Sequence, residues 1–197
     1  MSNKRFRTID LTMIAVFVAL MAIGANISSF LIVGGVPITL QTFFSILAGA
    51  ILGRRIGAIS MIVYILVGIA GAPVTAQFVG GPIIVMKPTF GFLLSYILVA
   101  YVTGYIIEKV KDPKVGRFII ASLIGMAINY VFGTNWMYYA YKFWANAPEG
   151  FSYGLAWAWM LAPLPKDIIL SIAAGLMSPR IYKAVQKANH VYKQETV

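Results

Sequence analysis

Long apolar stretches, separated by short segments that carry charges, Pro or Gly, are the feature that most constrains this sequence. A helix needs about 20 predominantly apolar residues to cross a bilayer, and most of these stretches come close to that length. The composition agrees, since 60% of the 197 residues are hydrophobic and 11% are charged. Soluble domains are about 45–50% apolar and about 25% charged. The sequence therefore predicts an all-α integral membrane protein and excludes a soluble or disordered chain.

Six transmembrane helices are predicted from the positions of charges, Pro and Gly. They cover about residues 9–26, 39–53, 56–72, 88–107, 118–141 and 165–182. Another apolar stretch, residues 153–161, either belongs to a long broken helix or forms a separate interfacial helix on the outer side. We expect one transmembrane domain over residues 1–197, with short basic tails at about 1–8 and 183–197. A cleaved signal peptide competes with the first helix, but the stretch is long and ends in a weak cleavage site.

The basic residues of the six-helix arrangement fall mainly on one side of the membrane. Of the 16 basic residues, only Lys87, Lys142 and Lys166 fall on the other side. The rest precede the first helix, separate helices two and three or four and five, or follow helix six. The positive-inside rule places both termini in the cytoplasm. The net charge of +10 is thereby explained by topology and by anionic lipid, so no nucleic-acid partner is expected.

The sequence lacks the residues of common catalytic and metal sites. It has no Cys, one His and six acidic residues, which argues against thiol catalysis and a multi-ligand metal site. It contains no HExxH, GxSxG or P-loop motif. We therefore expect neither an enzyme nor a cofactor, and any ATP hydrolysis must come from other subunits.

Two outer segments are candidates for a ligand site. Residues 28–41 are uncharged and include Gly34 and Gly35; they either pack on the bundle or form a lid hinged at these glycines. Residues 80–91 are rich in Gly and Pro. One possibility is that Thr89 caps the following helix and Lys87 extends toward the membrane interface. The other is that both residues lie beside a pocket in which Lys87 binds an anionic group.

Polar groups in the predicted helices add to this candidate site. Asp167 is the one acidic residue in the outer half of a predicted helix. It either complements the helix dipole or accepts hydrogen bonds from a ligand. Asn129 and Trp136 share one face of helix five, and Tyr130 lies on the adjacent face. Together these residues predict an outward-facing, mostly apolar cavity with a few polar groups, as is usual for small-molecule sites.

Small residues at helical spacing predict close helix contacts. Ala15 and Ala19 are four residues apart in the first helix. Such a face either packs inside the bundle or docks another membrane subunit.

Five segments resemble, in order, the motifs of the BioY biotin-transport family. Residues 36–42 (VPITLQT) and 47–53 (LAGAILG) resemble its most specific signature. Residues 64–73 (YILVGIAGAP), 87–92 (KPTFGF) and 162–167 (APLPKD) are similar to three further elements. The resemblance runs over about residues 8–180, nearly the whole chain.

The resemblance implies a six-helix substrate-binding subunit, or S component, of an energy-coupling factor (ECF) transporter in a prokaryotic plasma membrane. Such a subunit captures a vitamin, here biotin, from outside. It works with a transmembrane coupling subunit and with two cytoplasmic ATPases, which use the ATP. The resemblance also implies that Ala15 and Ala19 contact the coupling subunit, and that the loaded subunit topples in the membrane.

Biotin suggests roles for the candidate residues. Asp167 is expected to accept the ureido N–H groups and Asn129 to bond the ureido carbonyl. Trp136 or Phe78 is expected to stack on the ring, and Lys87 or Lys166 to meet the carboxylate. The candidate set is completed by three polar residues: Gln41, Thr89 and Tyr130.

The sequence departs from the family pattern at the proposed pocket. Lys87 and Phe90 stand where the family has Gly, Phe92 replaces Tyr, Lys166 replaces Gly, and Leu170 replaces Lys. Lipoate or another vitamin therefore stays open as the ligand. A stand-alone transporter or channel is a further alternative, whereas a membrane enzyme finds no nucleophile–base pair in the sequence.

Overall fold

The structure is a computed structural model that describes the backbone of residues 6–195 and the side chains of residues 6–187. Of the basic residues used for topology, Lys4 and Arg5 lie outside the described residues, and the side chain of Lys193 lies outside the described side chains. The elements follow in this order: α1 (Thr8–Asn26), β1 (Ile32–Val33), β2 (Val36–Pro37), α2 (Gln41–Ile69), two 3-10 turns (Ala76–Phe78 and Pro82–Met86), α3 (Phe90–Glu108), α4 (Val115–Phe143), α5 (Tyr153–Met160) and α6 (Leu164–Glu195).

Five of the described helices are long and apolar enough to cross a membrane: α1, α2, α3, α4 and the Leu164–Lys187 part of α6. This confirms the predicted helical membrane architecture. The predicted ends of helices one, four and five agree with α1, α3 and α4 to within about three residues.

Helix α2 is folded back on itself at Gly53, where φ is 81° and ψ is 171°. Residues other than Gly rarely adopt this positive φ. The Gln41 side chain at the start of α2 donates a hydrogen bond from Nε2 to the Tyr64 hydroxyl over 2.8 Å. In a straight helix these two residues would be about 34 Å apart at 1.5 Å per residue. The break lies where the sequence predicts the junction between helices two and three.

Among the described residues, the named β-strands lie only in the segment between α1 and α2. Strands β1 and β2 pair antiparallel, with Val33 opposite Val36. Gly34 and Gly35 connect them with φ values of +55° and +77°, as a two-residue hairpin turn requires. The predicted all-α class holds, and the one addition among the described residues is this short hairpin of two-residue strands.

The hairpin packs against α5, which is a separate short helix. Ser152 accepts a hydrogen bond from the Leu155 N–H over 3.2 Å at the start of α5. Gly34 lies so close to the Trp159 indole that a Cβ at this position would overlap the ring. The structure thus favours packing for the tip of this segment, and a separate helix for residues 153–160.

Helix α6 continues to Glu195, well past the predicted end at residue 182. The helix is therefore longer than the predicted transmembrane span, and it includes most of the basic tail expected from residue 183. Hydropathy marks only where the apolar part ends, whereas the Lys, Ala and Gln residues beyond it are good helix formers.

Ala15 and Ala19 are exposed on α1, while Ile14, Phe17 and Met21 of the same helix are buried. The two alanines therefore do not pack inside this chain. Other small residues do: Gly57 lies against the Ala48 backbone, and a Cβ there would be 2.8 Å from the Ala48 carbonyl oxygen.

Candidate functional site

A cavity lies between the hairpin segment, the adjoining ends of α2, α3 and α6, and the middle of α4. It encloses about 550 Å³ of empty space, including its opening to solvent. Its wall is mostly apolar, with residues such as Val36, Leu93 and Met160. Six of the predicted site residues line it: Gln41, Thr89, Asn129, Tyr130, Lys166 and Asp167.

Asp167 brings a negative charge to this wall. It is 6% exposed and lies in the first turn of α6. Its Oδ2 accepts a hydrogen bond from the Tyr130 hydroxyl over 2.7 Å, and its Oδ1 is 2.8 Å from Lys166 Nζ. An ionised carboxylate has about four acceptor positions. Asp167 can therefore accept further hydrogen bonds from a ligand while it keeps both protein partners.

Lys166 ties α6 to the hairpin segment. Its Nζ pairs with Asp167 and also donates a hydrogen bond to the Thr39 carbonyl. The ammonium group is therefore held at the carboxylate, on one side of the cavity. Lys166 Nζ can therefore contact only the part of a ligand that lies beside Asp167.

Asn129 connects three helices. Its Oδ1 accepts a hydrogen bond from Thr42 Oγ1 in α2 over 3.3 Å, and its Nδ2 donates to Ser95 Oγ in α3 over 2.7 Å. A primary amide has two N–H donors. One donor is used by Ser95, and the Tyr96 hydroxyl is a second hydrogen-bond neighbour of this amide at the cavity wall.

Gln41 and Thr89 lie at the start of α2 and immediately before α3. The Gln41 amide bonds the Tyr64 hydroxyl, which in turn donates to the Val74 carbonyl over 2.9 Å. This chain of hydrogen bonds fixes the amide at the wall and joins both arms of α2 to the segment that follows them.

Lys87 lies in a second cavity that adjoins the first. This second cavity encloses about 740 Å³ of empty space, including its opening. The two cavities share four lining residues: Pro37, Ala76, Thr89 and Leu93. Lys87 is therefore displaced from Asp167 along a continuous wall.

Phe78 and Trp136, the predicted stacking residues, do not line either cavity. Phe78 is 60% exposed in the first 3-10 turn, Ala76–Phe78. Trp136 instead packs against other rings, with its centroid 6.2 Å from that of Phe90 and 6.1 Å from that of Trp144. Whether a side chain of α4 faces a cavity depends on the rotation of α4 within the bundle. The spacing of residues along one helix does not determine that rotation.

Sequence reasoning missed Tyr96, which is 4% exposed and lines the first cavity. In an apolar helix it looks like an ordinary buried aromatic residue. The available signal is helical spacing, because Leu93 and Tyr96 of α3 continue the face that starts at Thr89 just before the helix, and all three line the cavity. Met160 was missed for the same reason, within the apolar α5.

The described residues contain no group of three or more His, Cys, Asp or Glu side chains that could hold a metal ion. The chemistry of the cavity is therefore that of hydrogen bonds, one carboxylate, lysine charges and apolar contact.

Comparison with known proteins gives concordant matches. The model of the BioY family matches residues 1–187. BioYB of Bacillus subtilis (strain 168) is 44% identical over 97% of this chain and 98% of its own length. The biotin transporter BioY of Thermotoga maritima is 32% identical over 85% of this chain and 92% of its own.

A solved structure also matches. The crystal structure of the S-component for biotin from an ECF-type ABC transporter superposes with a TM-score of 0.77 at 25% identity. The match covers 93% of this chain and 95% of the other.

Proposed function

The chain belongs to the BioY family, and from this premise we propose that it is the substrate-binding S component of an ECF-type importer and that it binds biotin in the first cavity. It is a multi-pass membrane protein of a transporter family and not an enzyme. The family resemblance of the sequence is thereby confirmed.

The observation that carries the ligand assignment is the pairing of Asp167 and Asn129 in one apolar cavity. The ureido ring of biotin offers two N–H donors and one carbonyl acceptor. Asp167 supplies a buried acceptor, and the amide group of Asn129, which lines the same cavity, is the proposed donor to the ureido carbonyl. Hydrogen bonds to a buried carboxylate are among the stronger ones. Lipoate has no N–H groups, so it would leave this carboxylate without a ligand donor.

We further propose six membrane crossings within one domain, with both arms of α2 counted separately. The contact between Gln41 and Tyr64 across the Gly53 break supports this count. An even number of crossings agrees with the basic segments, which then face the cytoplasm of a prokaryotic cell. The cavity lies at the opposite end, where it is open to biotin from outside.

The proposed partners are a transmembrane coupling subunit and two cytoplasmic ATPases, which hydrolyse the ATP. Ala15 and Ala19 are the proposed contact with the coupling subunit. Their exposure on α1 supports this assignment, because small residues allow close approach of another helix in lipid. No nucleic-acid partner is proposed.

The experiment is calorimetric titration of biotin into the purified protein in detergent, with lipoate as the comparator. We expect a nanomolar dissociation constant for biotin, equivalent to about −12 kcal/mol. Asp167→Asn should weaken binding by about 10- to 100-fold, because a hydrogen bond to a charged group contributes about 1.5–3 kcal/mol. Asp112→Asn is the matched control, since Asp112 is exposed in the segment between α3 and α4 and outside the cavity.

Two results would contradict these proposals. Binding of lipoate but not biotin would assign the cavity to another vitamin. Biotin uptake by this chain alone, in cells that lack the ATPases, would identify a stand-alone transporter.

A further inference from the structure

Lys87 is a half-buried cation without a partner in the described part of the protein. It lines the second cavity, and within residues 6–187 its side chain makes no hydrogen bond or ion pair. The other outer lysines differ from it. Lys166 is paired with Asp167, and the Lys142 ammonium lies 5.9 Å from the Phe143 ring centroid at an exposed site.

The surroundings of Lys87 fit an anion. The described lining of the second cavity contains no Asp or Glu. It does contain Tyr141, which is also half-buried and has a hydroxyl that can donate a hydrogen bond. Partial burial weakens the hydration of an ammonium group, so an anion placed beside it restores a favourable interaction.

Lys166 cannot take the same role while Asp167 binds the ureido ring. Its Nζ is 2.8 Å from Asp167 Oδ1 and bonds the Thr39 carbonyl as well. Biotin carries its ureido ring and its carboxylate at opposite ends, separated by the second ring and a saturated chain. One residue pair in direct contact therefore cannot meet both ends of an extended ligand.

We propose that the second cavity is the carboxylate subsite of the ligand site, with Lys87 as its cation. This inference rests on the proposed function. The hydrogen-bonding head lies at Asp167 and Asn129, and the aliphatic chain passes the shared wall of Pro37 and Leu93. The subsite makes the protein selective for a carboxylic acid over its neutral amide.

The test compares biotin with biotinamide, whose amide removes the charge and keeps the size. We expect the wild-type protein to bind biotin at least tenfold more tightly than biotinamide. Lys87→Gln should lose this preference by weakening biotin alone, and Lys87→Arg should retain most of it. Lys142→Gln is the matched control and should keep the wild-type ratio, because Lys142 lines neither cavity.

A Lys87→Gln protein that keeps the wild-type ratio would overturn the inference. The inference would also be overturned if Lys166→Gln, but not Lys87→Gln, lost the preference for biotin over biotinamide. That result would assign the carboxylate contact to Lys166. Failure of the wild-type protein to bind either compound would instead refute the proposed function. A symmetric size-exclusion peak for each variant in detergent shows that it is folded.

Discussion

The packing of the hairpin tip on α5 predicts a large effect for a very small substitution, Gly34→Ala. A Cβ on Gly34 would overlap three atoms of the Trp159 indole, Cγ, Cδ2 and Cε2. Normal carbon–carbon contacts are about 3.5–4.0 Å. Trp159 cannot easily retreat, because its ring is 5.3 Å from that of Phe151 and 6.2 Å from that of Tyr141. The hairpin must therefore move away from α5.

Two contributions make up the expected cost. Gly34 has φ +55°, and a residue with a Cβ costs about 1–2 kcal/mol in this left-handed region. The overlap with Trp159 adds about 1–3 kcal/mol, the usual cost of overpacking. Because the hairpin segment contributes Val36 to Thr39 to the cavity wall, its displacement lowers the population of the binding-competent form. We expect biotin affinity to fall by about 30- to 4,000-fold, since the two costs add to about 2–5 kcal/mol and each 1.4 kcal/mol is tenfold.

Two other glycines separate these contributions in the same calorimetric assay. Gly150 has φ +71° and nothing within 4 Å of a built Cβ, so Gly150→Ala carries backbone strain alone, at a residue that lines neither cavity. Gly35→Ala has similar strain and a contact of 3.1 Å to the Tyr141 hydroxyl. We expect Gly34→Ala to have the largest effect, and the Gly34→Ala/Trp159→Ala double mutant to recover part of the affinity.

A Gly34→Ala protein that bound biotin as tightly as the wild type would refute a role for the hairpin packing on α5. Equal losses in Gly34→Ala and Gly150→Ala would refute it as well, because contact with Trp159 would then contribute nothing.

Two more predictions concern the carboxylate and the exposed face of α1. Tyr130→Phe removes the hydroxyl that donates to Asp167 over 2.7 Å, and should lower the stability by about 1.5–3 kcal/mol; an unchanged midpoint of thermal unfolding in detergent would contradict this. Ala15→Trp and Ala19→Trp should abolish co-purification with the coupling subunit and the ATPases, yet leave biotin binding intact. Val131→Trp, at an exposed position of α4, is the control that should assemble normally, and assembly of both alanine variants would remove the docking proposal.

The sequence by itself determined the helical segments, because hydropathy and chain breaks act locally. It predicted the spans that correspond to α1, α3 and α4, and it predicted the break that the structure has at Gly53. Uncharged residues and two adjacent glycines marked the segment that forms the hairpin, although the strands themselves were not predicted. The extension of α6 to Glu195 was missed because apolar length and helix length are different properties.

The tertiary structure decided which side chains meet. Asp167, Tyr130 and Asn129 come from α6 and α4, and only the packing of these helices with α2 and α3 puts them on one wall. The same packing turns Trp136 toward other aromatic rings and brings Tyr96 to the cavity. It also separates Lys166 from Lys87, which the sequence left as equivalent candidates for one anion. The apolar composition of a helix determines that it enters the bilayer. Its rotation about its own axis is determined only by the neighbouring helices that it packs against.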